Sequence, residues 1–413
     1  MVICPFIKIK HSFAFLLITL LSILFFTALF IQFIYWVFIF ARLIGHQDTP
    51  PSGKKPSVSI VIAAWNEKTN LQELLPLLEK QKYPDFEIIV ADDRSFDGTY
   101  EMLWIEKPYP KTKIVRIDST PAHFTSKKYA VTMGMKKASK ELVLLTDADC
   151  RPVSDQWLSE MVANYGGQKQ IVLGFSPYIE YPGWLNAFIR FETFHTAVQY
   201  FSLAKIGFPF MGVGRNLMYN QELFWHSNGF SSHHGVLGGD DDLFINENAT
   251  AENTAICLNY DAIVTSEPKR TLEEWITQKR RHLSVGKFYK MRDKIILGLY
   301  SISHIFSWLL IPFAFLIEPS WFSAPDWARI PAEVLEQRNL IDYYPFTDWQ
   351  RLILGLIISW FLLKWLLMSR LNKRLYKTVN SSSLLIFDFL YLLYMVVIGT
   401  YSFFSKRQKI RWR

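Results

Sequence analysis

Cysteine is scarce in this sequence, which has three in 413 residues, at Cys4, Cys150 and Cys257. Their wide separation fits neither a disulfide framework nor the paired spacing of a zinc site. We therefore expect reduced, cytosolic thiols and a fold that depends on its hydrophobic core.

A glycine-rich phosphate loop is also missing. The first apolar, β-branched run, residues 57–64, is followed by Trp-Asn-Glu and by no glycine until Gly98. Neither the dinucleotide-binding nor the P-loop spacing of glycine fits this stretch. A nicotinamide-dependent enzyme and a P-loop nucleotide hydrolase are both disfavoured.

Charge is missing from the long apolar run that begins at residue 13, in which the first charged residue is Arg42. A helix needs about 20 apolar residues to cross a bilayer, and no small-residue cleavage site of a signal peptide is present. We predict an N-terminal tail over 1–12, a retained membrane anchor over 13–43 and a polar linker over 44–56.

The C-terminal region, 291–413, contains three further apolar segments, 295–317, 352–368 and 384–404, and ends in a basic tail. The length of these segments and their content of Leu, Phe and Trp favour membrane spans over buried helices of a soluble domain.

Much of the net charge of +8 lies beside the apolar segments, for example at Lys55, Arg370 and Arg374. Basic flanks of this kind are typical of the cytosolic side of a membrane, and they do not indicate a nucleic-acid partner. We predict a multi-pass protein of the inner or plasma membrane whose catalytic domain is cytosolic.

The membrane topology has two interpretations. The acidic connection 319–348 is predicted to be external, so four spans would place the basic tail outside, against the positive-inside rule. Either one segment lies in the membrane interface, or the rule fails for this chain. Lys364 and Asp388 lie within apolar segments, where an unpaired charge is costly. They pair with each other, or they face a headgroup or the catalytic domain.

Residues 57–290 alternate between short β-branched runs and segments with helical periodicity. This alternation predicts an α/β domain with a mostly parallel, Rossmann-like sheet covered on both faces. Strands are predicted over 57–64, 86–93, 111–118 and 141–149, with helices over 70–81, 97–105 and 126–139. Residues 181–205 have helical spacing and form either a helix on the membrane surface or a buried core helix.

Polar residues follow three of the predicted strands, where ligands bind in open α/β sheets. They are Asn66, Glu67, Asp92, Asp93, Asp147 and Asp149. Each alone fits a turn or a helix cap. The spacing Asp147-x-Asp149 at a strand end also fits a divalent cation held against a diphosphate.

Six segments in order resemble the inverting glycosyltransferases of family 2, which have the GT-A fold. They are 58–67, 86–99, 126–130, 146–149, 212–219 and 278–282. Two departures from the family pattern are Ser126 in place of glycine and His282 in place of tryptophan; the second puts acceptor binding or polymer handling in doubt.

The resemblance implies roles for single residues. Nucleotide-sugar binding falls to Asn66, Glu67, Asp92, Asp93, Lys127 and Asp147. Asp149, supported by Asp147, is the implied ligand of a divalent cation, Mg²⁺ or Mn²⁺. Contacts with the diphosphate or the acceptor fall to Gly214, Asn216, Gln278, Arg281 and His282.

The stretch "GGDDDLF", residues 238–244, matches the family's catalytic acid. With Leu243 fixing the register, Asp240 is the general base and Gly239 replaces the usual preceding acid. A register one residue later makes Asp241 the base. Asp241 and Asp242 otherwise fit acidic residues at a helix N-terminus.

The expected function is transfer of a sugar from a nucleotide-diphosphate sugar, a UDP-sugar being favoured over a GDP-sugar, to a hydroxyl of a membrane lipid or lipid-linked acceptor. One alternative is a processive polysaccharide synthase, which would share all these motifs. The other is a non-catalytic membrane protein with a degenerate GT-A domain, against which the intact Asp147, Asp149, Asp240 and Arg281 argue.

Overall fold

The computed structural model describes residues 5–50, 53, 55–106, 109–316 and 348–399. The predicted external connection and the predicted basic tail lie outside these residues, as do the first four residues and the end of the last apolar segment.

The strands of the catalytic domain are short and mostly buried. They are β1 (Val58–Ala64), β2 (Phe86–Asp93), β3 (Thr112–Ile117), β4 (Leu142–Leu145), β5 (Cys150–Pro152), β6 (Ile171–Gly174), β7 (Leu217–Asn220), β8 (Thr254–Cys257) and β9 (Val264–Ser266). In the main sheet the order is β3-β2-β1-β4-β7-β6-β8, while β5 and β9 form a separate antiparallel pair.

The helices of this domain connect the strands in the predicted alternating order. They are α2 (Lys68–Glu79), α3 (Thr99–Glu101), α4 (Ser126–Lys137), α5 (Trp157–Ala163), α6 (Trp184–Lys205), α7 (Gln221–His226), α8 (Asp242–Asn248) and α9 (Leu272–Val285). The helix predicted over 97–105 is instead a single α-turn, α3, continued by a wider π-helical turn to Glu106.

The predicted α/β fold with a mostly parallel sheet is confirmed. β1 is parallel to β2 and β4, and β2 is parallel to β3. β7 is antiparallel to both β4 and β6. The predicted strand 141–149 ends at Leu145, so Asp147 and Asp149 lie in the turn after it, at the carboxyl edge of the sheet.

The core on one face of the sheet continues without interruption into the membrane region. It runs from Val61 of β1 and Met135 of α4, through Phe191 of α6, to Trp36 and Tyr391 in the apolar helices. Most side chains of α6 are buried. The structure therefore decides between the two interpretations of residues 181–205 in favour of a buried core helix.

The apolar helices are α1 (Pro5–Phe33), α10 (Met291–Leu309), α11 (Ile311–Ala314), α12 (Asp348–Arg374) and α13 (Leu384–Tyr394). Among the described residues, three helical segments are long and apolar enough to cross a membrane, namely Leu16–Leu43, Trp349–Arg374 and Ser381–Gly399. They indicate that the protein associates with a membrane.

The predicted segment 295–317 differs from these three. α10 ends at Leu309 and is followed by the short α11, and its first turns contain Arg292, Asp293 and Lys294. α10 and α11 run antiparallel to α1 and to the π-helical turn Ile34–Ile39 that continues it. Tyr35 Oη in that turn donates to Ile296 O of α10 at 2.6 Å, and Ser22 Oγ of α1 donates to Phe313 O of α11 at 3.1 Å.

Lys364 of α12 and Asp388 of α13 form a buried ion pair with Nζ 2.6 Å from Oδ2. Trp308 Nε1 donates to the same oxygen at 3.0 Å. Of the arrangements considered for these two charges, the structure shows that they pair with each other. The pair joins the last two candidate spans.

Candidate active site

A cavity of about 190 Å³ opens at the carboxyl edge of β4. Four elements bring their ends to it. The turn after β4 contributes Asp147 and Asp149, and the start of α4 contributes Lys127. The loop before α8 contributes Asp240, and α9 contributes Arg281. Residues from distant parts of the sequence thus meet because parallel strands end at one edge.

The turn after β4 places two carboxylates side by side. Cys150 N donates to Asp147 O at 3.1 Å, which closes the turn, and Ala148 between them is buried. Partial burial, together with the neighbouring Asp147, raises the pKa of the Asp149 carboxyl. Unfavourable charge of this kind is relieved by a cation. The described residues hold no cluster of three or more His, Cys, Asp or Glu for a metal, so the protein would offer two carboxylates.

Lys127 links the two acidic clusters. Its Nζ lies 3.0 Å from Asp147 Oδ1 and 3.3 Å from Asp240 Oδ2. Burial opposes the charge of this ammonium group, but the two carboxylates outweigh that effect and raise the pKa of Lys127. The side chain is therefore a fixed positive charge at the centre of the cavity.

The structure gives Asp240 and Asp241 different environments. Asp241 is the N-cap of α8, and its carboxylate accepts from Gly214 N at 2.7 Å and from Asp242 N at 2.8 Å. Both residues line the cavity, but Asp240 makes no such cap, and its Oδ2 lies beside Lys127 Nζ. Burial of Asp240 is outweighed by nearby Lys127, which lowers the pKa of its carboxyl. Asp240 is thus a carboxylate at neutral pH.

The two glycines before Asp240 are required by the backbone. Gly238 and Gly239 have φ of 79° and 73°, in the left-handed region that glycine adopts without penalty. A Cβ on Gly239 would lie 2.8 Å from Leu243 Cγ. This close approach explains why an acid, which the family pattern has at this position, does not fit here.

α9 presents three of the predicted residues to the cavity. Gln278, Arg281 and His282 are spaced i, i+3 and i+4, which places them on one face of a helix. The helix begins with a capping box between Thr271 and Glu274, which fixes its start.

The predicted contacts of Gly214 and Asn216 are not found at the cavity. Asn216 is fully buried, and its Nδ2 donates to Phe175 O at 2.9 Å and to Ala262 O at 2.8 Å. Its Oδ1 accepts from Trp157 Nε1 at 3.0 Å. The structure therefore corrects the prediction for Asn216, whose amide holds the core together. Gly214 supports Asp241 instead of lining the cavity.

Four of the six residues predicted to bind the nucleotide sugar lie at the ends of β1 and β2, outside this cavity, whereas Lys127 and Asp147 line it. Asn66 has φ of 57°, and its Oδ1 accepts from Phe96 N at 2.9 Å. Asp93 accepts from the Arg94 guanidinium at 2.8 and 3.1 Å. The Asp92 carboxyl is buried, which raises its pKa. Burial raises the pKa of Glu67 as well, with added repulsion from Asp149 and Asp147.

Comparison with known proteins identifies the kind of domain to which the strands around the cavity belong. Residues 59–227 match the family model described as glycosyl transferase family 2. The chain contains a glycosyltransferase family 2 domain. This stretch contains β1 to β7 and both carboxylates of the Asp147-x-Asp149 turn, and Asp240 lies just beyond its end.

Individual relatives are similar over different lengths. The chain is 25% identical over 278 residues to glycosyltransferase AglE of Haloferax volcanii, a match covering 66% of this chain and 86% of that protein. It is 31% identical over 123 residues to a beta-monoglucosyldiacylglycerol synthase of Trichormus variabilis, covering 29% and 26%. It is 33% identical over 92 residues to a poly-beta-1,6-N-acetyl-D-glucosamine synthase of Staphylococcus epidermidis, covering 22% and 21%.

A solved structure supports the fold. The mannosyltransferase PcManGT of Pyrobaculum calidifontis, determined with GDP-Man and Mn²⁺, superposes with a TM-score of 0.55 at 19% identity. The match covers 87% of this chain and 99% of that one. The GT-A-like fold of this glycosyltransferase is therefore shown.

Sequence reasoning missed Arg215 in the glycosyltransferase cavity. Its guanidinium lies 4.3 Å from the Tyr178 ring and donates to Ser176 O at 3.1 Å, while a second nitrogen, Nη1, is buried without a partner. Arg215 also acts electrostatically on Asp149. The only signal for Arg215 in the sequence is its position within "GVGRN", between a glycine and an asparagine.

Lys128, next to Lys127, was also missed. It is fully buried, and its Nζ donates to His233 O at 2.7 Å and to Val236 O at 2.9 Å. Burial lowers the pKa of Lys128 to about 8, so the group is still mostly protonated at neutral pH. It holds the loop that leads through Gly238 and Gly239 to Asp240.

Lys128→Met is expected to reduce kcat by roughly 10- to 100-fold, because a loosened loop misplaces the carboxylate of Asp240. Donor affinity should change little. Steady-state kinetics and titration with nucleoside diphosphate measure the two effects separately. Lys136→Met, on the exposed side of the same helix, is the matched control. An unchanged kcat in the Lys128 variant would mean that the loop holds its position without this contact.

Proposed function

We propose that this glycosyltransferase is a membrane-bound, inverting enzyme that transfers a sugar from a nucleotide-diphosphate sugar to a hydroxyl of a lipid or lipid-linked acceptor. The observation that carries the proposal is the state of Asp240. All three acids of its cluster line the cavity, but Lys127 lowers the pKa of Asp240, whereas burial and mutual repulsion raise those of Asp241 and Asp242. A deprotonated carboxylate in a cavity is competent as a general base.

The proposed transfer step accounts for one proton, one bond formed and one bond broken. The acceptor hydroxyl gives its proton to Asp240, and its oxygen forms a bond to the anomeric carbon of the donor sugar. The bond between that carbon and the diphosphate oxygen breaks, and its electron pair leaves with the nucleoside diphosphate. Attack from the face opposite the leaving group inverts the configuration.

The positively charged side chains in the cavity would stabilise the departing diphosphate. Lys127 lies between the two acidic clusters, and Arg215 and Arg281 line the same cavity. Charge-assisted hydrogen bonds from fixed cations stabilise developing negative charge without reorganisation. Gln278 and His282 line the same cavity on α9 and would contact the acceptor.

The same cavity suits a divalent cation, Mg²⁺ or Mn²⁺. Asp149 and Asp147 would hold it, since burial and the neighbouring Asp147 raise the pKa of Asp149 and a cation would relieve that unfavourable charge. When bound, such an ion neutralises charge on a diphosphate. Asn66, Glu67, Asp92 and Asp93 would bind the nucleotide at the neighbouring strand ends. A UDP-sugar is our preferred donor over a GDP-sugar.

A membrane acceptor follows from how the domain sits on the apolar helices. The core of the sheet continues through α6 into those helices, so the domain is fixed directly against them. A lipid substrate is supplied at that surface. We place the domain at the cytosolic face of the inner or plasma membrane, beside several spans, because basic residues flank the apolar helices. The similar beta-monoglucosyldiacylglycerol synthase, by its name, makes a glycolipid.

A donor panel tests the function. Full-length protein in detergent, with Mg²⁺ or Mn²⁺ and membrane lipid extract, is offered UDP- and GDP-sugars. We expect release of nucleoside diphosphate with one donor and a lipid bearing one added sugar by mass spectrometry. A ladder of sugars would favour the processive synthase instead. Absence of both nucleotide binding and turnover across the panel would overturn the enzymatic proposal.

Asp149→Asn is expected to weaken binding of the nucleoside diphosphate, measured by calorimetry with Mn²⁺, by roughly 10-fold or more, because one charged ligand is lost. Chelation of the cation should weaken binding by wild-type protein to a similar level. Asp118→Asn, at an exposed position after β3, is the matched control. If wild type bound nucleoside diphosphate equally well with and without chelator, and the Asp149 variant bound it as tightly, the proposal that a cation takes part would be wrong.

A further inference from the structure

A second groove opens beside the glycosyltransferase cavity. It is lined by two short stretches, residues 181–186 at the start of α6 and residues 268–270 before α9. The segment between β9 and α9 connects the two sites. Glu267 lines the cavity, Lys269 lines both, and Arg270 lines only the groove.

The groove is positively charged. Lys269 and Arg270 are exposed, and among the described residues neither forms a hydrogen bond or an ion pair. No residue lining the groove is acidic. Of the two acids beside it, Glu180 has a cationic partner, whereas Glu267 keeps its charge and lines the cavity instead of the groove. Tyr181 Oη donates to both oxygens of Glu267 at 3.0 and 3.1 Å, and Glu180 pairs with Arg190 at 2.8 Å. Two unpaired cations therefore point to an anionic ligand.

The groove also lies close to the membrane helices. Trp184, on its wall, is 64% exposed. One helical turn later, Phe188 packs against Phe387 and Tyr394 of the candidate span Ser381–Gly399, with ring centroids 5.9 and 6.4 Å apart. An exposed tryptophan beside a membrane helix is typical of the membrane–water interface. A headgroup is the part of a lipid found at this level.

We propose that the groove binds the phosphate of the acceptor lipid, with Lys269 and Arg270 as the binding cations and Trp184 against the adjacent lipid chain. The inference rests on the proposed function and narrows its acceptor to an anionic lipid. Only Lys269 is shared between groove and cavity. The phosphate and the attacking hydroxyl are therefore separate groups of one acceptor molecule, and the hydroxyl reaches Asp240 while the phosphate stays in the groove.

Binding to farnesyl phosphate tests the proposal, with farnesol and inorganic phosphate as matched ligands. Calorimetry on the full-length protein in neutral detergent should show that farnesyl phosphate binds more tightly than either. Arg270→Gln should weaken this binding about tenfold, because it removes a bidentate phosphate contact. Trp184→Ala should weaken it by a smaller factor. Lys136→Gln, at an exposed position on α4, should leave it unchanged.

The failure of this inference can be told from failure of the proposed function. Arg270 does not line the catalytic cavity, so Arg270→Gln should bind nucleoside diphosphate as tightly as wild type does. Any one of three results would overturn the groove proposal. The protein could bind farnesyl phosphate no more tightly than farnesol, or no more tightly than inorganic phosphate. Alternatively, wild type and Arg270→Gln could bind farnesyl phosphate with equal affinity. Those results would leave donor binding and turnover untouched.

Discussion

Asp240→Asn is expected to lower kcat by about 10²- to 10⁴-fold, the usual contribution of a general base. An asparagine amide has nearly the same shape as the carboxylate but cannot accept the proton of the acceptor hydroxyl. Binding of nucleoside diphosphate should stay close to wild type, because Asp240 faces the acceptor side of Lys127 in our proposal. Initial rates of nucleoside diphosphate release and calorimetric titration measure the two properties.

Asp241→Asn is the matched control for this experiment. Asp241 caps α8 and accepts from two backbone N–H groups with its two oxygens, and an asparagine keeps only one acceptor oxygen, so the substitution should cost about 1 kcal/mol of stability. Its effect on kcat should be much smaller than that of Asp240→Asn. An active Asp240 variant beside an inactive Asp241 variant would move the base to Asp241, as the alternative register of the sequence has it.

Lys364→Met is expected to destabilise the protein strongly, by about 3–5 kcal/mol, because it leaves the carboxylate of Asp388 buried and without its cation. His304 Nδ1, at 4.0 Å from Asp388 Oδ1, and Trp308 Nε1 do not replace that charge. Thermal unfolding of the full-length protein in detergent should show a clearly lower midpoint than wild type.

The double variant Lys364→Met with Asp388→Leu provides the control. It removes both charges, so it should unfold at a higher temperature than Lys364→Met alone. Equal midpoints for the single and double variants would show that the loss comes from packing around Lys364 and not from the charge left behind. A midpoint for Lys364→Met equal to that of wild type would show that the pair contributes nothing to stability.

The fold class could be predicted from the sequence because the patterns that indicate strands and helices lie within short stretches of the chain. Runs such as "SVSIVIAA" are apolar on both faces, as buried parallel strands are, and helical periodicity lies between them. Polar residues directly after such a run lie at one edge of the sheet in any doubly covered α/β fold. Asp147 and Asp149 could therefore be predicted at the cavity, Lys127 was predicted from the family resemblance, and the structure places all three there.

The boundaries of elements were predicted less well. The helix expected over 97–105 is mostly a π-helical turn, and the apolar segment 295–317 is divided after Leu309. The first of these segments has a composition suitable for one continuous helix, whereas in the second Pro312, at the start of α11, breaks the helix and is a signal that the sequence contains. Packing and backbone bonding to other elements decide where a helix ends, and local periodicity does not record them.

The roles of polar side chains within a motif could not be read from the motif. Asn216 and Arg215 are neighbours in "GVGRN". The amide of Asn216 donates to two backbone carbonyls in the core, whereas the guanidinium of Arg215 lines the cavity. Lys127 and Lys128 are neighbours as well, but one bridges two carboxylates and the other holds a loop. Successive residues of a helix or turn point in different directions, so partners distant in sequence assign their roles.

By itself, the sequence determined the α/β class, the family resemblance, the apolar helices and the set of acids at the strand ends, since these depend on periodicity and order along the chain. Tertiary structure decided which carboxylate lies beside Lys127 and which caps α8, that Lys364 pairs with Asp388, and that a basic groove adjoins the catalytic cavity. Each of these depends on a distance between residues far apart in sequence, and only the packing of strands and helices sets such distances.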